Sequence, residues 1–168
     1  PTPGGSVYAI EKAGNTMYIG GFFGTVNGLP RAGLARFNAT TGVLDSWAPT
    51  DITNGVTSLT RVADKLIAGG SFVTVNGQSR MGICMFDLAA GNLNPWSDVA
   101  NFVSWRHGVG ASGNTFYYCT FTPSRIVAVD ATTGIATTCV PTATGIATTI
   151  VSSRGRIVSD DDIRNLER

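Results

Sequence analysis

Gly20-Gly21-Phe22-Phe23-Gly24-Thr25-Val26-Asn27-Gly28-Leu29-Pro30-Arg31-Ala32-Gly33 returns, from residue 20 to residue 69, as Gly69-Gly70-Ser71-Phe72-Val73-Thr74-Val75-Asn76-Gly77-Gln78-Ser79-Arg80-Met81-Gly82. Outward from this stretch, Val7–Trp47 aligns with Val56–Trp96 without a gap at the same offset of 49. Val7, Phe37, Gly42, Leu44 and Trp47 recur as Val56, Phe86, Gly91, Leu93 and Trp96. A period near fifty residues marks stacked supersecondary units, each burying its apolar surface only against a neighbour.

Within a unit the pattern predicts four short strands. In the first copy these are Val7–Glu11, Thr16–Phe23, Leu34–Phe37 and Val43–Trp47. In the second they are Val56–Thr60, Lys65–Phe72, Ile83–Phe86 and Asn92–Trp96. Runs such as Met17-Tyr18-Ile19 and Ile83-Cys84-Met85-Phe86 are continuously apolar, as expected of strands covered on both faces. Asn15 and Asp64 stand between the first two strands, where short polar residues tolerate hairpin geometry. Asn38-Ala39-Thr40-Thr41-Gly42 recurs as Asp87–Gly91 and Asp130–Gly134. In such a turn the Asx side chain accepts backbone hydrogen bonds and Gly supplies a positive φ.

A third copy is shortened in its middle loop, where Thr122-Pro123-Ser124-Arg125 replaces the longer Asn-Gly segment. Cys119-Thr120 takes the place of the Gly pair, and Cys139 falls where Trp47 and Trp96 stand. Losing that indole removes a large buried surface, so this unit is expected to pack differently at its rim. Cys119 and Cys139 fall on strands either side of a common strand, roughly 9–10 Å apart and beyond disulfide reach. A fourth copy starts at Ile146, turns at Arg154-Gly155 and gives out at Asp160-Asp161-Asp162. The expectation is an all-β chain, a β-propeller of about three and a half four-stranded blades in an incomplete ring. The blades run over approximately 6–54, 55–102, 103–145 and, in part, 146–168.

Composition agrees. Charged residues make up 14% of the chain while Gly numbers 21, a balance that favours strands and turns over helices. A net charge of +1 with scattered Lys and Arg leaves no basic stripe for nucleic acid. No apolar run approaches the roughly 18–20 residues of a membrane span. Pro1–Gly5 reads as a Pro/Gly linker, and the missing initiator Met points to a processed chain or an excised piece. The three widely spaced cysteines read as small buried residues and form no metal-like pair.

The unit Gly-Gly-x-Phe-x-Thr-Val-Asn-Gly-x-x-Arg-x-Gly, followed by Phe-Asn/Asp-x-x-x-Gly-x-Leu-x-x-Trp, resembles the delta-sixty repeat. The match is good over 7–47 and 56–96, partial over 106–139 and faint over 146–158. The resemblance implies a β-propeller of the kind found in bacterial surface and secreted proteins and in some phage structural proteins, with little activity to carry over. Asp130–Gly134 also looks like the blade turn of quinoprotein propellers, whose blades lack the Asn-Gly-x-x-Arg loop.

Several residues invite a chemical reading. The Gly pairs allow a ligand to approach or, more simply, allow blades to pack closely. Asn27 with Arg31 and Asn76 with Arg80 form an interaction loop in which the Arg fork binds an acidic or polyhydroxy ligand, or else reaches the next blade to lock the interface. His107, the only histidine, has no evident Ser, Cys or carboxylate partner and reads as structural. Asp160–Asp162 lacks the spacing of a calcium loop. Asn38-Ala39-Thr40 fits a glycosylation acceptor but coincides with the repeated turn.

These readings predict a non-catalytic scaffold or binding module of an extracellular, cell-surface or envelope-exposed bacterial protein, without a cofactor. The alternatives are a structural subunit of a phage tail, fibre or capsid, placed in the virion, and a channel-site hydrolase or quinoprotein-type enzyme. An open ring exposes apolar faces, so a protein partner or self-association is expected to complete it. A glycan or other surface ligand is the further candidate partner.

Overall fold

The computed structural model describes residues 1–98, 108–121, 124–140, 150–153 and 156–159, and the described residues contain no helix. The first repeat forms β1 (Pro3–Ala13), β2 (Thr16–Val26), β3 (Leu29–Pro30) and β4 (Leu34–Asn38). The second forms β5 (Val56–Val62), β6 (Lys65–Gly70), β7 (Thr74–Val75), β8 (Gln78–Ser79) and β9 (Ile83–Asp87). The third forms β10 (Val109–Ser112), β11 (Thr115–Phe121), β12 (Ser124–Asp130) and β13 (Ala136–Val140). The last hairpin is β14 (Ile150–Ser153) with β15 (Arg156–Ser159).

Every pairing is antiparallel between strands close in sequence. The sheets run β1-β2-β4, β5-β6-β9, β10-β11-β12-β13 and β14-β15. The first strands of successive sheets lie side by side, β1 by β5, β5 by β10 and β10 by β14. The sheets therefore share an inner edge and fan outward. Repetition extends to irregularities: the β1–β2 register slips between Val7 and Ala9, and β5–β6 slips at the equivalent Val56 and Ser58. A bulge inherited at the same place in two copies is a feature of the unit.

β6 shows why its sequence is apolar without alternation. Leu66 and Ala68 join a core with Tyr18, Leu34, Val56 and Phe86, while Ile67 joins another with Met85, Val109, Phe116 and Tyr118. The second sheet is thus covered on both faces, and successive residues of one strand belong to different cores. Cys84 is fully buried in the first of these cores, and burial pushes its thiol well above the ordinary range. Cys119 on β11 is also buried, and Cys139 lies on β13 across the intervening β12.

Three expectations need correction. Pro3–Gly5 is strand, with Pro3 opposite Val26 and Gly5 opposite Phe23, because the preceding Thr2 is hydrogen-bonded at Asn27. The strand expected over Lys65–Phe72 ends at Gly70 and resumes as β7. The fourth strands expected at Val43–Trp47 and Asn92–Trp96 shrink to single bridges, Phe37 to Leu44 and Phe86 to Leu93. Their chain turns away at once: Asp45 Oδ1 accepts the Trp47 amide at 2.7 Å, and Asn94 Oδ1 accepts that of Trp96 at 3.0 Å. The third repeat, without the Trp, keeps a full fourth strand, with Cys139 on β13 opposite Val127. His107 and Asp160–Asp162 lie outside the described residues.

Candidate functional site

Asn27-Gly28 and Asn76-Gly77 form tight turns with positive φ at all four residues (52°, 75°, 50° and 73°). Gly takes this conformation without cost and Asn tolerates it, which explains the dipeptide. The Asn side chain has a second task. Thr2 donates its N–H to Asn27 Oδ1 at 2.7 Å, while the Asn27 N–H donates to the Thr2 carbonyl at 2.9 Å. Thr50 and Asn76 repeat this at 2.8 and 2.9 Å. Each Asn thus clamps the backbone leading into its own repeat.

The loop tips are exposed, but Arg31 and Arg80 retain only 7% and 4% of their exposure. Arg31 donates from Nη1 to the Pro30 carbonyl at 2.7 Å and from Nη2 to the Asp45 carbonyl at 2.5 Å. Arg80 donates to the Ser79 carbonyl (2.8 Å), the Gln78 side chain (2.8 Å) and the Asn94 carbonyl (3.0 Å). The two forks therefore bind the segment that leads to the Trp of the same repeat, rather than the neighbouring blade. The structure brings each Asn and Arg to the same hairpin but turns their polar groups to different backbone segments.

The link between blades is the Trp. Trp47 Nε1–H donates to the Gly91 carbonyl at 2.7 Å, and Trp96 Nε1–H to that of Gly134 at 2.9 Å. Each indole leaves its own sheet and seats on the Asx turn of the next repeat. Edge-on contacts at 5.1 Å to Phe86 and Phe116 complete the seat. A Cβ on Gly91 would lie 2.7 Å from the Trp47 ring, and one on Gly134 2.6 Å from Trp96. Gly is required there for space as well as for its φ of about 70°. The Asx turns themselves are closed by Asn38 Oδ1, which accepts from Thr40 and Thr41, and by Asp130 Oδ1, which accepts from Thr132 and Thr133.

Charge gathers around the same segments. Arg36 bonds Asp45 at 2.9 Å and lies 5.3 Å over the Trp47 ring. Partial burial pushes Asp45 up, but the Trp47 amide, the Arg36 hydrogen bond and charge, and the Arg31 charge outweigh it and hold the carboxyl below its ordinary value of 3.8. The backbone amide of Thr133 leads the hydrogen bonds that lower Asp130. Lys65, between Asp64 and Asp87, is raised, chiefly by its hydrogen bond to Asp64.

A shallow cleft of about 290 Å³ opens between the first repeat and the link into the second. It is lined by Gly4, Gly21, Phe22, Phe23, Gly24, Gly33, Ile52, Asn54 and Gly55. Its walls come together because Gly55 abuts Phe22, where a Cβ would sit 2.7 Å from the ring. None of these lining residues is ionisable. The cleft offers aromatic surface, exposed backbone and one amide side chain, a chemistry of contact rather than proton transfer. Beside it Tyr8 and Phe22 meet edge to face at 5.9 Å, 59% and 47% exposed. Sequence reasoning missed this cleft, though five of its nine lining residues are Gly. Among the described residues no cluster of His, Cys, Asp or Glu could hold a metal ion, and no helix is long and apolar enough to cross a membrane.

A family model described as a domain of unknown function (DUF5122) beta-propeller matches residues 15–46. No curated protein matches the chain. Among solved structures, the computationally designed Ika4 protein is similar with a TM-score of 0.64 at 16% identity, over 92% of this chain and 84% of that one. The computationally designed Ika8 protein gives 0.57 at 15% identity, over 92% of this chain and 42% of that one. The Cps50 (Swd1) beta-propeller domain of Myceliophteria thermophila gives 0.56 at 17%, over 88% of this chain and 44% of that one. At these identities the likeness is one of fold. The family match, the fanned sheets and the shared architecture make this chain a β-propeller protein.

Proposed function

We propose that the chain is a non-catalytic β-propeller module, acting as a scaffold or binding part of an extracellular or envelope-exposed bacterial protein. The observation that carries this reading is the use of the repeated polar residues. Asn27, Asn76, Arg31 and Arg80, the repeated groups suited to hold a ligand, all bond to the fold's own backbone. What the surface then offers a partner is aromatic and glycine-rich: Tyr8, Phe22 and the adjoining cleft. The resemblance to delta-sixty repeats supplies the cellular context.

The test is protease treatment of intact cells that express the protein, followed by mass spectrometry of the released peptides. Release of its exposed loops from unbroken cells is expected. Recovery only after lysis overturns the location. Recovery at fixed stoichiometry in phage particles replaces the reading with a virion subunit. Turnover of a glycan or quinone-dependent substrate by the purified protein overturns the non-catalytic reading.

A further inference from the structure

The repeats display both halves of a blade-to-blade lock, and the first repeat shows one half without its partner. The lock has an inner and an outer contact. At the inner edge, Val56 and Leu59 of β5 pack on Gly20 of the preceding sheet, where a Cβ would lie 2.6 Å from Val56 Cγ1 and 3.4 Å from Leu59 Cδ1. At the rim, a Trp indole from the preceding repeat seats on the Gly carbonyl of the Asx turn.

The first repeat carries the receiving residues of both contacts. Val7 and Ile10 occupy the positions of Val56 and Leu59, yet they are 37% and 64% exposed. Gly42 occupies the position of Gly91 and has the same left-handed φ, 72° against 71°. Among the described residues only Pro1 Cδ, at 3.9 Å, comes near a Cβ built on Gly42. Between these contacts Ile19, Phe23, Val26 and Ala35 form their own buried cluster with Phe37 and Leu44.

Nor do the described repeats hold a spare key. Trp47 and Trp96 are seated on Gly91 and Gly134, and the third repeat has Cys139 where the Trp would be. The third tryptophan, Trp105, lies outside the described residues.

We propose that the Val7–Ile10 edge and the Gly42 turn receive a further blade of the same repeat type, supplied from outside these residues. That blade presents Gly in its second strand to Val7 and Ile10 and ends in a Trp whose indole N–H bonds the Gly42 carbonyl. This inference goes beyond the proposed function and rests on the blade geometry alone, whatever the protein's location.

The experiment supplies such a blade: a copy of residues 1–49 fused ahead of Pro1 of the full chain, which keeps the native spacing from Trp47 to the next Asx turn. Hydrogen exchange of the original β1 is compared in the parent chain, the extended chain and an extended chain with Trp47→Ala in the added copy only. The expected result is β1 exchange at least about tenfold slower in the extended chain, with most of that protection lost in the Trp47→Ala version. Unchanged β1 exchange in the extended chain, with the added copy digested as unfolded chain, overturns the proposal. Equal protection with and without the added Trp overturns the Gly42 seat.

Discussion

Val7 and Val56 are the same residue at the same point of the same unit, one 37% exposed and the other fully buried. Ile10, 64% exposed, and the half-buried Leu59 differ in the same direction. Nothing within either repeat accounts for this. What differs is the neighbour: β5 meets Gly20 of the preceding sheet, and among the described residues β1 has no such sheet beside it. Stability in this architecture therefore resides largely between repeats, as expected where each unit buries its face only by stacking. The rim adds to this. Arg31 and Arg80 hold the chain that delivers each Trp, and the Trp crosses to the next blade.

The largest effect should come from the rim. Trp96→Ala removes the indole from Gly134, Phe116 and Tyr118 and should cost about 3–5 kcal/mol, the range for large aromatic truncations. Chemical denaturation measures it. A loss below about 1 kcal/mol would deny the Trp its locking role. Next, Gly20→Ala should cost about 2 kcal/mol by overpacking against Val56. Gly24→Ala, where a Cβ meets nothing within 4 Å, should cost far less. Equal melting points for the two variants would show that the inner contact is not as close as described.

The matched pair of valines sharpens the contrast further. Val56→Ala should cost about 1.5 kcal/mol, from roughly 0.8 kcal/mol for each buried carbon lost. Val7→Ala should stay within about 0.5 kcal/mol, as exposed positions do. In the chain extended by a further repeat, Val7→Ala should become as costly as Val56→Ala. A large cost for Val7→Ala in the parent chain would mean that its face is already covered.

The smallest effect concerns pH. Asp45 and Asp130 are held below 3.8 in the folded state. Their contribution is therefore complete above that value and is lost as pH falls through their lower folded pKa. Denaturation midpoints should hold steady from neutral pH to about 5 and decline below 3.8. Asp45→Asn copies the residue of the second repeat, Asn94, which caps its Trp without a charge. That variant should flatten part of the acid decline. An unchanged acid profile would show that Arg36 and the amide contribute nothing through Asp45.

The sequence already implied the blades: the offset of 49, the Asx turns, the Gly pairs and the unbroken apolar strands all follow from the physics of stacked sheets. Its reading faltered where a residue serves an element other than its own. Val43–Trp47 sits where the repeat leads one to expect a fourth strand, and nothing local reveals that Asp45 turns the chain so that Trp47 can leave. Arg31 read as bound either to a ligand or to the next blade, whereas its partner is a backbone carbonyl of its own repeat, and carbonyls carry no sequence signature. The Asn clamp was hidden by spacing: Asn27 to Asn76 is 49 residues but Thr2 to Thr50 is 48, so the alignment frame slides past the match. The cleft arises from backbone approach at Gly21 and Gly55, which composition cannot place.

The central claim is that blades are joined by indoles crossing from one repeat to the next. NMR hydrogen exchange with nuclear Overhauser contacts tests it directly. The Trp47 and Trp96 indole N–H groups should exchange slowly and show cross-peaks to the Hα protons of Gly91 and Gly134, 44 and 38 residues away. Rapid exchange of both indoles, with contacts only inside their own repeats, would contradict the account.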